Sequence, residues 1–309
     1  MSEQGPERSQ AALDRIDRLA GEDLRVVVPS SHFFRGAVAS WKDIWDHREL
    51  WWLLVKRELK ARYKDSTLGF LWTLIRPLVQ LLIYYFAIGQ ILGASRAIEN
   101  FGVYVFAGLT AWGLFNEIIA SSTGSIVGNS GIIKKVYLPR EIFPLAAAGA
   151  AFINFCAQMV VLLAGAIIIS GIHIPSLLTY VPLSIIVILV WGIAAGLFLS
   201  AINVYLRDVQ YLVEVSLLIG MWLCPIVYSY SMVVDAAPAW LAELYLMNPM
   251  ANAVLGFQAG VWAPSTSSAA PLPDNLLTSM LIFIAIGLVL IVLSQRYFAK
   301  SQRNFAQEL

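Results

Sequence analysis

The sequence has few charged side chains and lacks the common motifs of soluble enzymes. Only 13% of its 309 residues are charged, whereas 59% are hydrophobic. A soluble domain has about 25% charged and about 45–50% apolar residues, so the composition excludes an ordinary soluble domain and predicts a polytopic membrane protein. The sequence contains no Gly-Lys dipeptide and therefore no phosphate loop. The Gly-x-Ser-x-Gly nucleophile elbow is also absent.

Cysteine and histidine are scarce as well. Cys156 and Cys224 both lie in apolar runs, where we expect them to fill space. The histidines, His32, His47 and His173, are remote from any Cys, Asp or Glu set with metal-ligand spacing. We therefore expect no metal site and no covalent chemistry on this chain.

Long apolar segments account for most of the sequence. Each is long enough, at about 1.5 Å per helical residue, to cross about 30 Å of hydrocarbon. The predicted fold is all-α, with six transmembrane helices. The predicted spans cover residues 68–92, 102–127, 143–170, 177–205, 211–230 and 276–298.

Positive charge is distributed unevenly among the loops. Nineteen of the 21 Lys and Arg residues lie before span 1, in the loops after spans 2 and 4, or in and after the last turn of span 6. Because cytoplasmic loops are enriched in Lys and Arg, both termini are predicted to be cytoplasmic, in an inner or plasma membrane. The predicted organisation is a tail over 1–40, an amphipathic interfacial region over 41–66, a membrane domain over 67–299 and a second tail over 300–309.

The region 41–66 combines aromatic and basic side chains. On a helical wheel, Trp51 and Trp52 share one face with apolar residues, and the basic residues occupy the neighbouring face. This pattern is typical of a helix lying in the membrane interface. The alternative is a soluble amphipathic helix packed on a domain. The predicted interfacial set is Trp51, Trp52, Lys56, Arg57, Lys60 and Lys64.

A short polar stretch, residues 128–145, separates spans 2 and 3. It contains Lys134, Lys135 and the triplet 139–141, Pro-Arg-Glu. The stretch is too short for a domain and more charged than a simple turn requires. We therefore predict a cytoplasmic loop that another protein binds and through which it exerts force on this chain.

The connection between spans 5 and 6, residues 231–275, contains two apolar pieces that are too short to span. They cover 240–247 and 249–262 and are separated by Asn248-Pro249. We interpret them as short helices that re-enter the membrane or lie on its outer face. Re-entry requires cover by protein or water. The alternative is a plain external loop with two surface helices.

Three charged side chains lie within the predicted spans, away from their last turns: Arg76, Glu117 and Glu214. Charges in lipid are costly and usually face protein or a polar path. Arg76 and Glu117 lie at similar depths, about 12 and 15 Å from the cytoplasmic ends, which suggests an ion pair between spans 1 and 2. The alternative is that Arg76 reaches the headgroups.

The run 132–144, Ile-Ile-Lys-Lys-Val-Tyr-Leu-Pro-Arg-Glu-Ile-Phe-Pro, resembles the coupling segment of permeases in type-2 ABC polysaccharide exporters. Residues 53–77, Arg207-Asp208-Val209 and Asn248-Pro249-Met250 are also similar to that family, and the resemblance covers about residues 45–300. One departure is Gln258, where the family often has a basic residue. The polar N-terminus and Trp-rich helix most resemble actinobacterial exporters of cell-wall galactan.

The resemblance implies an ABC type-2 exporter fold and a half-transporter. Such a chain pairs with a second copy and docks two ATPase subunits, which bind ATP and Mg²⁺, while the permease itself binds no cofactor and no nucleic acid. The coupling segment would cover 128–142. The implied docking residues are Ile133, Lys134, Lys135, Tyr137, Pro139, Arg140, Glu141, Arg207 and Asp208.

The resemblance also implies a cargo, a polysaccharide on a prenyl-diphosphate lipid. Basic residues of the interfacial helix would receive the diphosphate, and a path between the two copies would be lined by spans 1, 2 and 5. The candidate path residues are Trp72, Tyr84, Trp112, Phe115, Trp222 and Tyr228.

Three other functions stay open, one of which is a non-catalytic assembly or scaffold protein. A type-2 ABC permease for a drug or another lipid more often has a large external domain between spans 1 and 2, for which residues 93–101 leave no room. A membrane-embedded transferase of prenyl-diphosphate sugars would need acidic groups in a cytoplasmic loop, where only Glu141 and Asp208 are available.

Overall fold

The computed structural model describes residues 42, 44–62, 64, 66–134, 138–169, 171, 173–266 and 272–309. The predicted tail 1–40 lies outside them. Every regular element within these ranges is helical, as the composition predicts. The helices are α1 Arg48–Arg62, α2 Trp72–Tyr84 with a π-helical continuation Tyr85–Ile91, α3 Phe101–Gly128, α4 Ile142–Ile169, α5 Ile174–Tyr205, α6 Val209–Trp222, α7 Tyr230–Ala236, α8 Ala239–Leu246, α9 Pro249–Val261, α10 Leu276–Ser301 and α11 Phe305–Glu308. Single helical turns occur at Gly69–Leu71, Ala94–Ala97, Ser130–Ile133, Ala263–Ser265 and Gln302–Asn304.

Helices α3 and α5 form the centre of the bundle. They pack on each other, α3 also contacts α4 and α9, and α5 contacts α9 and α10. Glycines on α5 allow the close approach: a Cβ added at Gly196 would lie 2.8 Å from the Cβ of Ser122 on α3. Small residues commonly permit such contacts between membrane helices. The two helices therefore form the frame to which the other elements attach.

The number of continuous spans differs from the prediction. Within the described part of the chain, five helical segments are long and apolar enough to cross a membrane, namely Gly69–Ile91, Phe101–Gly128, Ile142–Ile169, Ile174–Tyr205 and Leu276–Asn304. The predicted span 211–230 is not a single helix, because α6 has 14 residues and ends at Trp222. Its length of about 21 Å is less than about 30 Å of hydrocarbon. Pro225 cannot continue the helix because it lacks an N–H and clashes with the preceding turn. The six-span count stays a prediction.

The chain after α6 is irregular but largely buried, and other elements satisfy its carbonyls. The hydroxyl of Tyr104 lies 2.9 Å from the Pro225 carbonyl oxygen and 2.7 Å from the Tyr228 carbonyl oxygen, and its single hydrogen is shared between these two acceptors. The side-chain nitrogen of Gln258 donates to the Pro225 carbonyl at 2.6 Å. Gln258 is buried, and a buried charge without a counter-charge is expensive. A neutral donor at position 258 therefore suits this site.

Helices α8 and α9 meet at Asn248-Pro249, where the sequence predicts a break. The side-chain oxygen of Asn248 accepts a hydrogen bond from the Met250 amide at 2.9 Å, which caps α9. Pro249 occupies the first helical position, where its missing N–H costs little. Most of α8 is exposed, whereas α9 is buried from Met250 to Val261. This burial excludes a surface position for α9, while its re-entry into the membrane stays a prediction.

Candidate functional site

The stretch 128–145 is tied at its start to helix α1. Asn129 follows the end of α3, and its side-chain nitrogen donates to the Ser125 carbonyl at 2.8 Å. Its side-chain oxygen accepts a hydrogen bond from Arg57. Arg57 also forms an ion pair with Glu58 at 2.8 Å. The guanidinium expected to face lipid diphosphate is thus engaged within the chain, because α1 lies beside the end of α3.

The end of the stretch is tied to the C-terminal segment. Arg140 donates to the backbone carbonyl of Gln302, and its guanidinium carbon lies 5.8 Å from the centre of the Phe305 ring. Phe305 is fully buried and meets the rings of Phe298 and Tyr205 edge-on. Residues 300–309, predicted to be a tail, therefore support the stretch.

The predicted docking residues between these anchors differ in exposure. Lys134 is exposed and Pro139 is half-buried. Ile133 and Glu141 are 6% and 2% exposed, so neither offers surface to a docking subunit. The expectation for these two residues is corrected, because both pack into the chain beneath the loop. Lys135 and Tyr137 lie outside the described residues.

Arg207 and Asp208 are exposed in the connection between α5 and α6. Close to them, the side-chain oxygen of Gln210 lies 3.6 Å from where a Cβ on Gly124 would be, near the end of α3. The Arg207-Asp208 pair therefore lies at the same end of the bundle as the stretch 128–145. This agrees with the prediction that the two loops share one side.

Helix α1 packs along α4. Leu54 and Val55 are buried, and Trp51 covers Gly149, where an added Cβ would lie 2.7 Å from the indole. Trp52 is on the exposed side, with the Lys56 ammonium 5.3 Å from its ring centre. The face buried against α4 therefore carries Leu54 and Val55, while Trp52 lies on the outer side of the helix. The basic residues Lys56, Lys60 and Lys64 are exposed as expected for a surface helix.

A polar cavity of about 680 Å³ opens between α2, α3 and α4, with the end of α1 at its edge. Its described lining carries three charged side chains, Arg62, Arg76 and Glu117. Trp72 also lines it and is partly exposed. Four amide side chains also line it: Gln80, Asn116, Asn154 and Gln158.

Glu117 has a different partner from the predicted one. Its carboxylate forms an ion pair with Arg62 and accepts a hydrogen bond from the side-chain nitrogen of Asn154 at 2.6 Å. Arg76 lines the same cavity, but its guanidinium has no ion pair or hydrogen bond among the described residues. The packing of α1 on α4 brings Arg62 to Glu117 across 55 positions, which depth along the spans does not reveal.

The sequence pattern did not single out Arg62 or the cavity amides. A usable signal is present, since Asn154 and Gln158 are four residues apart and share one face of α4. Arg76 and Gln80 have the same spacing on α2. The polar face of each helix was therefore visible, but not which faces meet.

The six aromatic residues predicted to line the polysaccharide path differ in their exposure within one chain. Trp112 is buried and packs against Gly220 of α6, where an added Cβ would lie 2.8 Å from the indole. Trp72 and Trp222 are exposed, and Trp222 is followed by the irregular segment. Tyr84, Phe115 and Tyr228 are half-buried. Within one chain, only Trp72 and Trp222 offer exposed ring surface, while Trp112 stabilises the packing of α3 on α6.

Glu214 is exposed on the outward face of α6. Its neighbours on that helix include large exposed apolar side chains such as Tyr211 and Leu218. A carboxylate on an apolar helix is costly against lipid. This face therefore suits contact with protein or water.

Comparison with known proteins gives matches along most of the chain. The family described as ABC-2 type transporter matches residues 49–262. The O-antigen export system permease protein RfbA of Myxococcus xanthus is 26% identical over 272 residues, covering 87% of this chain and 98% of that protein. RfbA of Klebsiella pneumoniae is 27% identical over 208 residues, covering 67% and 77%. The polysialic acid transport protein KpsM of Escherichia coli is 30% identical over 79 residues, covering 26% and 31%.

Proposed function

This chain belongs to the ABC-2 type transporter family, and we propose that it is the membrane permease of an ATP-driven polysaccharide exporter. Its relatives are named as permeases for O-antigen export and as a polysialic acid transport protein. The chain is thus a transporter component, and ATP hydrolysis takes place on a separate subunit.

The geometry of the stretch 128–145 is the observation that carries this proposal. Arg57 holds Asn129 at one end, and the C-terminal segment holds Arg140 at the other. The exposed Lys134 lies between these anchors. A force applied at Lys134 would pass to α3, α4 and α1 rather than only bending a loose loop. Such an anchored, exposed loop suits an ATPase contact, and Arg207 and Asp208 lie at the same end of the bundle for a second contact.

The proposed assembly contains two copies of this chain and two ATPase subunits in an inner or plasma membrane, with both termini cytoplasmic. The second copy would cover the outward face of α6, where it would shield Glu214 from lipid. The uneven Lys and Arg distribution supports the orientation. Membrane lipids would cover the remaining apolar helix faces.

The proposed cargo is a polysaccharide attached to a prenyl-diphosphate lipid, and the resemblance to actinobacterial exporters favours cell-wall galactan. The exposed ammonium groups of Lys56, Lys60 and Lys64 would attract the anionic lipid to the interfacial helix. The exposed rings of Trp72 and Trp222 are the best supported candidates for contact with sliding sugars.

The test is co-purification of the chain with a candidate ATPase subunit. Lys134→Glu should weaken the complex by about tenfold or more, because a charge-assisted contact contributes about 1.5–3 kcal/mol. Lys300→Glu is the matched control, since Lys300 is an exposed lysine at the end of α10. Complex formation and ATPase activity that are equal in both variants would exclude docking at this loop.

A further inference from the structure

The cavity between α2, α3 and α4 has the size of a ligand site. Its volume of about 680 Å³ lies within the range of about 300–1,000 Å³ typical of small-molecule sites. It lies on spans that are otherwise mainly apolar. A polar cavity in such helices usually marks a path or a binding site.

The charges of the cavity do not cancel. Two arginines and one glutamate lie in its described lining, which leaves one positive charge. Glu117 is already engaged by Arg62, whereas the Arg76 guanidinium has no partner among the described residues. A cation at this depth favours an anion, and a guanidinium matches the geometry of a phosphoryl group.

Asn154 supplies a second, independent indication. It is fully buried, and its side-chain nitrogen donates to Glu117 at 2.6 Å. Its side-chain oxygen is buried and has no hydrogen-bond partner among the residues that the structure describes. The amide orientation is fixed because only the nitrogen can donate to a carboxylate. This oxygen can accept a further hydrogen bond, which a ligand hydroxyl group entering the cavity would supply.

A ligand that satisfies both groups carries an anionic phosphoryl group and at least one hydroxyl. Trp72 lines the same cavity with a partly exposed ring, which offers an apolar platform to the C–H face of a sugar. The amides of Asn116 and Gln158 can both donate and accept. A sugar phosphate is a ligand that complements all of these cavity features.

We propose that this cavity binds the phosphorylated, hydroxyl-bearing headgroup of a membrane lipid. The phosphoryl group lies at Arg76, and a headgroup hydroxyl donates to the side-chain oxygen of Asn154. The same chemistry occurs in a prenyl-diphosphate sugar and in phosphatidylglycerol. Only the first of these sources rests on the proposed export function.

The test measures lipid binding to the full-length chain with its ATPase partner in phosphatidylcholine nanodiscs. The probes are undecaprenyl-diphospho-N-acetylglucosamine and phosphatidylglycerol, titrated separately. Arg76→Gln and Asn154→Leu should each weaken binding by about tenfold. Arg96→Gln is the matched control, because Arg96 is exposed and lies outside the cavity lining.

A further variant separates loss of binding from loss of folding. Glu117→Gln removes the negative charge but still accepts hydrogen bonds, so it should strengthen binding several-fold. Arg76→Lys should recover part of the affinity lost in Arg76→Gln. A misfolded chain produces neither gain nor recovery.

The outcomes distinguish the two sources of the ligand. If Arg76→Gln and Asn154→Leu weaken binding of the prenyl probe alone, the cavity is a cargo site. If they weaken binding of both probes, the cavity is a headgroup site that also takes an ordinary phospholipid. Unchanged binding of both probes in Arg76→Gln and Asn154→Leu overturns the proposal. The docking test with Lys134→Glu is independent of these results, so failure of the export function would be seen separately.

Discussion

Arg140, at the end of the stretch 128–145, is held by Gln302 and Phe305 of the C-terminal segment. We therefore expect Phe305→Ala to have a large local effect. Phe305 is fully buried and contacts Phe298, Tyr205 and Arg140. Removing a buried Phe side chain costs about 3–5 kcal/mol. Helix α11 has only four residues, so we expect the loss to open this segment rather than unfold the bundle.

Hydrogen exchange of the purified chain measures this opening. A loss of about 3 kcal/mol in the stability of this segment raises its open fraction roughly a hundredfold. The Leu309 amide donates to the Phe305 carbonyl at 3.0 Å, and its exchange rate should rise by the same factor. The Phe143 amide, bonded to the Arg140 carbonyl at 3.3 Å, should also exchange faster, since Arg140 loses its support.

Two matched variants define the comparison. Phe305→Leu keeps most of the apolar volume and should raise exchange only about tenfold or less. Phe86→Ala removes a Phe that is 58% exposed and should leave the C-terminal segment unchanged. If Phe305→Ala exchanges like Phe86→Ala, the anchor reasoning is wrong.

Two further predictions concern packing and the irregular segment. Gly149→Ala should lower the Tm by several degrees, because the new Cβ would lie 2.7 Å from Trp51 and overpacking costs about 1–3 kcal/mol. At Gly165 in the same helix, an added Cβ has no atom within 4 Å, so Gly165→Ala should be neutral or stabilising. Equal Tm shifts in the two variants would contradict the packing of α1 on α4. Tyr104→Phe should destabilise the chain by about 1–3 kcal/mol in thermal unfolding, since the Tyr228 carbonyl loses the hydroxyl donor 2.7 Å away, whereas the Pro225 carbonyl keeps Gln258 as a donor. Tyr297→Phe, at an exposed tyrosine, is the control, and a Tyr104→Phe Tm that matches it would exclude a structural role for the hydroxyl.

The hydrogen bonds at the two ends of the stretch 128–145 determine which helices would receive a force applied by an ATPase. A loop held only by α3 and α4 would tilt those helices alone. The hydrogen bond from Arg57 to Asn129 adds α1, and the bond from Arg140 to Gln302 adds the end of α10. Helix α1 also carries Arg62 to the edge of the polar cavity. One helix therefore contacts both the stretch 128–145 and the cavity.

Several features of the chain follow from local sequence properties. The all-α fold and five of the predicted spans reflect apolar run length, which is a property of each segment alone. The break at Asn248-Pro249 reflects a capping side chain followed by a residue without an N–H. The position of the stretch 128–145 between two long helices was predictable for the same reason, since its charge interrupts the apolar pattern.

The tertiary structure decided which residues meet. Depth along the spans suggested Arg76 as the partner of Glu117, but the packing of α1 on α4 supplies Arg62. Phe305 lies in the predicted tail 300–309, yet it is buried beneath Arg140. Gln258 donates to a carbonyl 33 positions away. Hydrophobic periodicity reports which face of a helix is polar or buried. It contains no information about the neighbour that covers that face, and this is why the cavity and the anchors emerged only from the folded chain.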